Sequence, residues 1–418
     1  MTTQLRIATA GSVDDGKSTL IGRLLHDTKT VFEDQLSAVT RASRRYGDGT
    51  VNLALLTDGL RAEREQGITI DVAYRYLATP KRSFIVADTP GHAQYTRNMV
   101  TGASVADIAI VLVDARHGMI EQTRRHSYIS ALLGVEQIVV AVNKMDLVDW
   151  DPMAFESVAK ELAEFVDGLP TTLPVTLIPI SALNGDNVVD RSVHAPWYHG
   201  PTLLEFLENV VVGHRAEVGA RLSVQWVIRP NTPEHPDYRG YAGRLSGGSL
   251  HVGDSVHVLP SGRTSTIATL ERAGVTVETA NAGDAVSIQL AHNLDIGRGD
   301  LIIADGAPVT PVVGAHVTAD LCWMIDRPLE IGSRWFLKHG GRVVKATVEA
   351  IDHRILVSTL EFENTDSLAL NDIGRVRFSL MDPIAADRYQ DHRDTGRAIL
   401  IDQVTNATAA ALLIAEVK

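Results

Sequence analysis

GSVDDGKS, from Gly11 to Ser18, is the stretch that decides the fold of the first half of the chain. It follows a short β-prone run, LRIATA (Leu5–Ala10), and leads into an amphipathic stretch of helical character, Gly16–His26. A strand turning through Gly-x4-Gly-Lys-Ser into a helix is the setting in which this spacing cradles phosphates. Glycines let backbone N–H groups curl around phosphate oxygens, and the helix N-terminus adds positive potential. Lys17 is expected to reach the β- and γ-phosphates and Ser18 to ligate Mg2+. Gly11, Ser12, Val13, Asp14, Asp15, Gly16 and Thr19 line the same loop.

Four further segments follow in order: GITI (Gly67–Ile70), DTPGH (Asp88–His92), NKMD (Asn143–Asp146) and SAL (Ser181–Leu183). Each alone is a modest signal, since DTPG is a common turn and Thr69 suits a strand. Together they describe a Mg·GTP site. Asp88 ends the apolar run FIVAD, where an acid can hold Mg2+ through water. Thr89 and Pro90 carry the chain to Gly91, whose N–H is expected to meet the γ-phosphate. Thr69 lies in a polar segment read as the first switch, its hydroxyl completing the Mg2+ shell when GTP is bound. His92, next to the γ-phosphate contact, is expected to orient the attacking water; phosphoryl transfer depends mainly on positioning and charge stabilisation. Val13 and Ile68 are expected to form an apolar gate in front of His92, against the plainer reading of simple packing.

NKMD follows the run IVVAV. The Asp146 carboxylate can accept both N1–H and N2–H of guanine, a donor pair adenine lacks, and such a mismatch supports discrimination of about 10⁴-fold or more. Lys144 is expected to lay its stem along the base. Ser181 and Ala182 are expected to offer backbone N–H groups to guanine O6, with Leu183 completing the turn.

Residues 1–212 alternate Ile/Val-rich runs (LRIATAG, SFIVADT, DIAIVLVDA, QIVVAVN, TLIPISA) with amphipathic stretches at Gln122–Leu133 and Met153–Val166. That alternation predicts an α/β P-loop domain with a doubly wound, mostly parallel sheet. From about Glu217 short alternating runs separated by Gly, Pro, Asn and Asp take over: RLSVQWVIRP, GYAGRLSGG, DSVHVLPSG, RTSTIATLE and DAVSIQL. They predict a small antiparallel barrel. A second set (GAHVTADLCWM, RVVKATVEAID, IGRVRFSL, GRAILID) follows the break APVTPVV. The expected domains are 1–215 (P-loop GTPase), 216–308 (β-barrel II) and 309–418 (β-barrel III), three for 418 residues.

The 51 acidic residues outnumber 39 basic ones, a formal charge of −12 that argues against broad nucleic-acid coating. The single cysteine, Cys322, excludes an internal disulfide framework and suits a reducing cytoplasm; it is read as core. Neither a signal peptide nor a transmembrane stretch is visible. Arg41–Arg45 and Arg124–Arg125 read as solvated helix faces. The loop Asn231–Gly243, with His235, Asp237 and Tyr238, lacks metal-ligand spacing and is expected near a subunit interface.

DGLRAEREQGITID (Asp58–Asp71) and DTPGHAQYTRNMVTGAS (Asp88–Ser104) resemble translational GTPases of the elongation factor 1-alpha/Tu class. Within that superfamily, GSVDDGKSTLIGRLLHDTK (Gly11–Lys29), ITIDVAYRYLATPKRSFIVADTPGH (Ile68–His92) and QTRRHSYISALLG (Gln122–Gly134) resemble the GTPase subunits of bacterial heteromeric sulfate adenylyltransferases. Translation factors usually carry His after the first P-loop glycine; this chain has Ser12. The resemblance implies a separate small subunit that binds ATP and sulfate and makes adenosine 5′-phosphosulfate and pyrophosphate, with GTP hydrolysis pulling that uphill step. It also implies that Asp14 helps bind a monovalent cation (K+). Some relatives continue into an adenylylsulfate kinase with its own P-loop; no second such motif occurs by Lys418, so that step is expected to fall to another polypeptide. The alternative reading is an elongation-factor-type carrier of aminoacyl-tRNA, against which Ser12 and the acidic balance weigh.

Overall fold

The structure is a computed structural model that describes residues 4–30, 53–56, 69, 71–213, 217–230, 232–233 and 238–418. Gly67, Ile68, Ile70, the basic run 41–45, and His235 and Asp237 therefore lie outside the described residues. The chain divides into two compact units, Met1–Gly213 with Val357–Glu361, and His214–Leu356 with Phe362–Lys418.

The first unit is built on a six-stranded sheet in the order β2-β3-β1-β4-β5-β6. Its strands are β1 (Gln4–Ala10), β2 (Ala73–Ala78), β3 (Ser83–Asp88), β4 (Ile108–Asp114), β5 (Gln137–Asn143) and β6 (Val175–Pro179). β1 pairs in parallel with β3 and β4, and β4–β5 and β5–β6 continue in parallel. Every residue of β4 is buried, as the unbroken apolar run IAIVLV requires of a central strand covered on both faces. β2 pairs antiparallel with β3, and its outward Tyr76 is exposed, as an edge strand allows.

Among the described residues, the α-helices of this unit are α1 (Lys17–Asp27), α2 (Thr96–Ala103), α3 (Glu121–Leu132), α4 (Pro152–Val166) and α5 (Leu203–Asn209). α4 opens on Asp151, which accepts from the Met153 N–H at 2.9 Å, with Pro152 at its first position. α5 opens on a capping box between Thr202 and Glu205. Buried Arg82 then satisfies carbonyls at the end of α5, reaching Leu207 O at 3.1 Å and Val210 O at 2.6 Å. On α3 the structure corrects the solvated reading of Arg124. That residue is half-buried, donates to the Met119 carbonyl at 3.1 Å and stands 5.5 Å over the Phe165 ring.

The second unit contains two closed antiparallel barrels. In the first, strands Ser255–Leu259, Leu301–Ala304, Arg221–Ile228, Gly240–Ser246, Ala285–Leu290 and Arg263–Arg272 follow one another, and the last pairs back onto the first. In the second, the order is Arg334–His339, Arg397–Ile401, Thr408–Val417, Val312–Trp323, Ile373–Ala386 and Arg342–Leu356, again closed. Closure removes open sheet edges. Cys322 is buried beside Trp323, as expected of a core thiol. Each barrel has its own apolar core, one around Leu222, Val224 and Ile288, the other around Trp323, Trp335 and Phe378. They are tied together by Arg221 and Asp387, both fully buried. The guanidinium grips the carboxylate with two bonds of 3.0 and 2.9 Å.

Candidate nucleotide site

The candidate residues come from the ends of β1, β3, β5 and β6, where an open parallel sheet gathers ligands outside its carboxyl edge. β1 ends at Ala10 and the chain turns through Gly11 (φ 140°), Asp14 (φ 65°) and Gly16 (φ 92°). These left-handed conformations explain two of the glycines, and a Cβ at Gly16 would also stand 2.5 Å from the Asn143 amide. Gly16 caps α1 without a side-chain hydrogen bond, so the first N–H groups of that helix are left for a ligand.

Inside the loop, Lys17 is buried and its Nζ donates to the carbonyls of Gly11 (3.0 Å) and Ser12 (2.6 Å). Burial pulls its pKa down, while Asp15, Asp88 and Asp14 work to raise it. The Asp15 carboxylate accepts the Ser12 N–H at 2.6 Å; burial raises its pKa, and this bond and Lys17 counter the rise. Gly91 lies against the same loop so closely that a Cβ there would be 2.5 Å from Lys17 Nζ. Only glycine allows that approach, since a Cβ would also stand 2.9 Å from the Ser12 carbonyl carbon; His92 is the next residue. His92 packs against Tyr95 with ring centroids 6.3 Å apart.

Ser18 and Thr69 have their hydroxyl oxygens 3.5 Å apart. Asp88 is buried at the end of β3, with Thr9 Oγ1 donating to it at 3.4 Å, and Thr89 donates to the Thr9 carbonyl. Two hydroxyls and a carboxylate are hard oxygen donors suited to Mg2+. No group of three or more His, Cys, Asp or Glu among the described residues could hold a metal, so such an ion would draw the rest of its shell from phosphate and water.

The base side is organised by Asn143. Its Nδ2 donates to the Asp15 carbonyl at 2.7 Å, and its Oδ1 accepts the Ala182 N–H at 2.9 Å. One side chain thus joins the phosphate loop, NKMD and SAL. Lys144 sits in a left-handed conformation (φ 63°), and its Nζ lies 2.9 Å from Asp114 Oδ2. Burial works to raise the Asp114 carboxyl. Hydrogen bonds from Arg116 and Lys144 outweigh it and hold the group well below the usual carboxylate range. Asp146 stands in the 3-10 turn Met145–Val148, anchored by buried Met145.

One expectation is corrected. The Ser181 N–H donates to the Asp186 carbonyl at 3.1 Å and the Ala182 N–H to Asn143, so neither is free for guanine O6. In this turn the N–H of exposed Leu183 is the one without a protein acceptor among the described residues. Closing a compact turn onto Asn143 consumes the donors that the short motif alone assigns to the base.

Three participants were not singled out from the sequence. Asp114 is the partner of Lys144. Arg23, on α1, reaches the carbonyls of Ala182 (3.2 Å) and Leu183 and so steadies SAL. His126, on α3, is fully buried and accepts the Gly11 N–H at Nδ1, 3.1 Å away. Burial first, then the Lys17 and Arg125 charges, lower its pKa to about 3. The end of β4 outside the apolar run is the one sequence signal for Asp114; Arg23 and His126 act through contacts across more than a hundred residues and carry none.

A phosphate-cradling loop, an acid and glycine at the end of the next strand, and an NKxD turn wired to the loop define a P-loop GTPase. The domain described as "Elongation factor Tu GTP binding domain" matches residues 2–212, and "GTP-eEF1A C-terminal domain-like" matches residues 316–415. The Sulfate adenylyltransferase subunit 1 of Vibrio parahaemolyticus is 51% identical over 415 residues, 99% of this chain and 86% of that one. The Bifunctional enzyme CysN/CysC of Mycobacterium tuberculosis (H37Rv) is 52% identical over 417 residues, 99% of this chain and 67% of that protein. A solved structure, sup35 complexed with GDP, is 22% identical and covers 100% of this chain and 95% of that one at a TM-score of 0.45. The chain belongs to the sulfate adenylyltransferase subunit 1 family, an enzyme subunit with a translational-type GTPase domain.

Proposed function

We propose that this chain hydrolyses GTP as one subunit of a heteromeric sulfate adenylyltransferase, coupling that hydrolysis to formation of adenosine 5′-phosphosulfate and pyrophosphate from ATP and sulfate. The observation that carries the reading is Asn143 bridging Asp15 and Ala182, which couples a phosphate loop to a guanine-type turn in a chain about half identical to relatives of that name. The relatives' "subunit 1" implies a heteromer; the partner is a small catalytic subunit that holds ATP and sulfate, in the cytoplasm. Domain limits of 1–215, 216–308 and 309–418 go with this reading.

Lys17 and the loop Gly11–Thr19 bind the β- and γ-phosphates, and Asp146 and Lys144 take the guanine. Ser18 and Thr69 directly, and Asp88 through water, hold Mg2+, which when bound offsets phosphate charge. Asp14 assists a monovalent cation. Thr89, Pro90 and Gly91 carry the γ-phosphate contact, and His92 positions the attacking water. Because the adenylyl-transfer product is a high-energy anhydride, the exergonic cleavage of GTP draws the equilibrium towards it.

The test is reconstitution with the small subunit, ATP and sulfate, with GTP or a non-hydrolysable analogue. More product with GTP is expected, and equal yields overturn the coupling. GTP-dependent retention of charged tRNA on a filter would instead establish the carrier reading.

A further inference from the structure

The strand Arg221–Ile228 of the first barrel begins with regular alternation, Leu222 and Val224 buried in the core. A β-bulge then breaks the register: Val224 pairs with Gly243 and Trp226 with Ala242, leaving Gln225 as the extra residue. The inward parity switches, so Val227 packs on the core and Trp226 is turned out, 64% exposed. Gly243 makes the bulge possible, because a Cβ there would stand 2.2 Å from the Ser223 carbonyl. Bulges are a means of re-aiming a side chain. Here the chain departs from regular pairing and the outcome is an indole in water.

Trp226 lines two open depressions. One, of about 510 Å³, continues over Ile228, Arg229, Pro230 and Ile296. The other, of about 350 Å³, runs over Gln225, Arg244 and Val286. Arg229 and Arg244 are both exposed, stand in different depressions, and make no ion pair among the described residues. The nearby Glu271 carboxylate is already engaged by the hydroxyls of Tyr238 and Ser287, each 3.3 Å away. In a chain of net charge −12, an exposed tryptophan lies beside two guanidiniums that have no ion-pair partner among the described residues.

We propose that this face docks the small adenylyltransferase subunit through an acidic segment of that partner, an apolar side chain seated against Trp226 and carboxylates meeting Arg229 and Arg244. The proposal rests on the heteromeric reading above. Tryptophan and arginine are the residues that concentrate binding energy at protein interfaces. The depressions are open, unlike the enclosing pockets of small ligands. Two guanidiniums are too few for nucleic acid, whose binding draws on many phosphate contacts.

The experiment measures the affinity of the full chain for the purified small subunit by titration calorimetry, for wild type, Trp226→Ala, Trp226→Phe, Arg229→Glu and Arg244→Glu. Each variant is first shown to bind GTP and to melt like wild type. Trp226→Ala and each charge reversal should weaken the complex about tenfold or more, with Trp226→Phe retaining most of the affinity. Wild-type affinity should fall with added salt more steeply than that of the reversed variants. If wild type binds and all four variants bind equally well, this docking face is wrong while the heteromeric reading stands. If wild type itself fails to bind the small subunit, both fall. A short single-stranded RNA that binds wild type but not Trp226→Ala, with small-subunit affinity unchanged between them, overturns the proposal in favour of a nucleic-acid face.

Discussion

Asn143 Nδ2 lies 2.7 Å from the carbonyl oxygen of Asp15, while the other end of the same amide accepts from Ala182. Three segments, 128 residues apart on one side of Asn143 and 39 on the other, thus share one buried side chain. Asn143→Ala leaves a buried carbonyl and a buried N–H without partners, each costing about 1–3 kcal/mol. Urea unfolding should show a loss in that range or above. Calorimetry should show weaker binding of GTP and GDP alike, because both the loop and the base turn are loosened.

Asp146 is the group proposed to read the base. Asp146→Asn replaces a double acceptor by a group that also donates, which suits the carbonyl of xanthine at the same position. GTP affinity should fall by about 10²-fold or more, and xanthosine triphosphate should bind in its place. Unchanged GTP affinity in this variant removes the base-recognition role from Asp146.

Gly91, the residue before His92, lies against the phosphate loop, and His92 is the group proposed to position the attacking water. With His92→Ala, GTP affinity should stay within a few-fold of wild type, and single-turnover hydrolysis should slow by about 10²–10⁴-fold. Equal turnover would retire the water-positioning role.

The fold was legible where local pattern and global role coincide. The continuous apolar runs of β4 and β5 announce buried parallel strands, and GSVDDGKS announces the loop because its neighbours are a strand and a helix. β2 was not singled out as a strand, since AYRYLA is an edge with tyrosines facing solvent and so lacks a buried run. Leu301–Ala304 and Thr408–Val417, which close the two barrels, were likewise passed over, because barrel closure is a pairing between distant segments. At the candidate site, spacing announces the loop Gly11–Ser18 and the residues Asp88, Asn143 and Asp146. Arg23, Asp114 and His126 escaped because their partners are set by three-dimensional contact. The fate of the Ser181 and Ala182 N–H groups escaped for the same reason.

Arg221 and Asp387 form the ion pair buried between the barrels. Arg221 also donates to the carbonyls of Gly219 (2.8 Å) and Val309 (2.7 Å), so its removal strands several acceptors besides the carboxylate. Arg221→Met alone should lower stability by about 3–5 kcal/mol, the cost of an uncompensated buried charge. The double variant Arg221→Met/Asp387→Leu should recover much of that loss, because no charge is left behind. Chemical denaturation of the four corners of this cycle measures both quantities.

His126 supplies a pH signature. Its ring is buried against Gly11, with the Lys17 and Arg125 charges also opposing protonation, so its folded pKa is about 3 against an ordinary 6.5. Between these values the unfolded chain binds a proton that the folded chain refuses. The stability this group permits is therefore complete above pH 6.5 and is lost as pH falls toward 3, at up to about 1.4 kcal/mol per pH unit. His126→Asn places an amide oxygen where Nδ1 accepts the Gly11 N–H but cannot titrate. Urea midpoints measured across that window should fall less steeply with acid for the variant, while the two proteins run parallel above the window. Identical slopes for the two would show that His126 takes up its proton without unfolding the loop it supports.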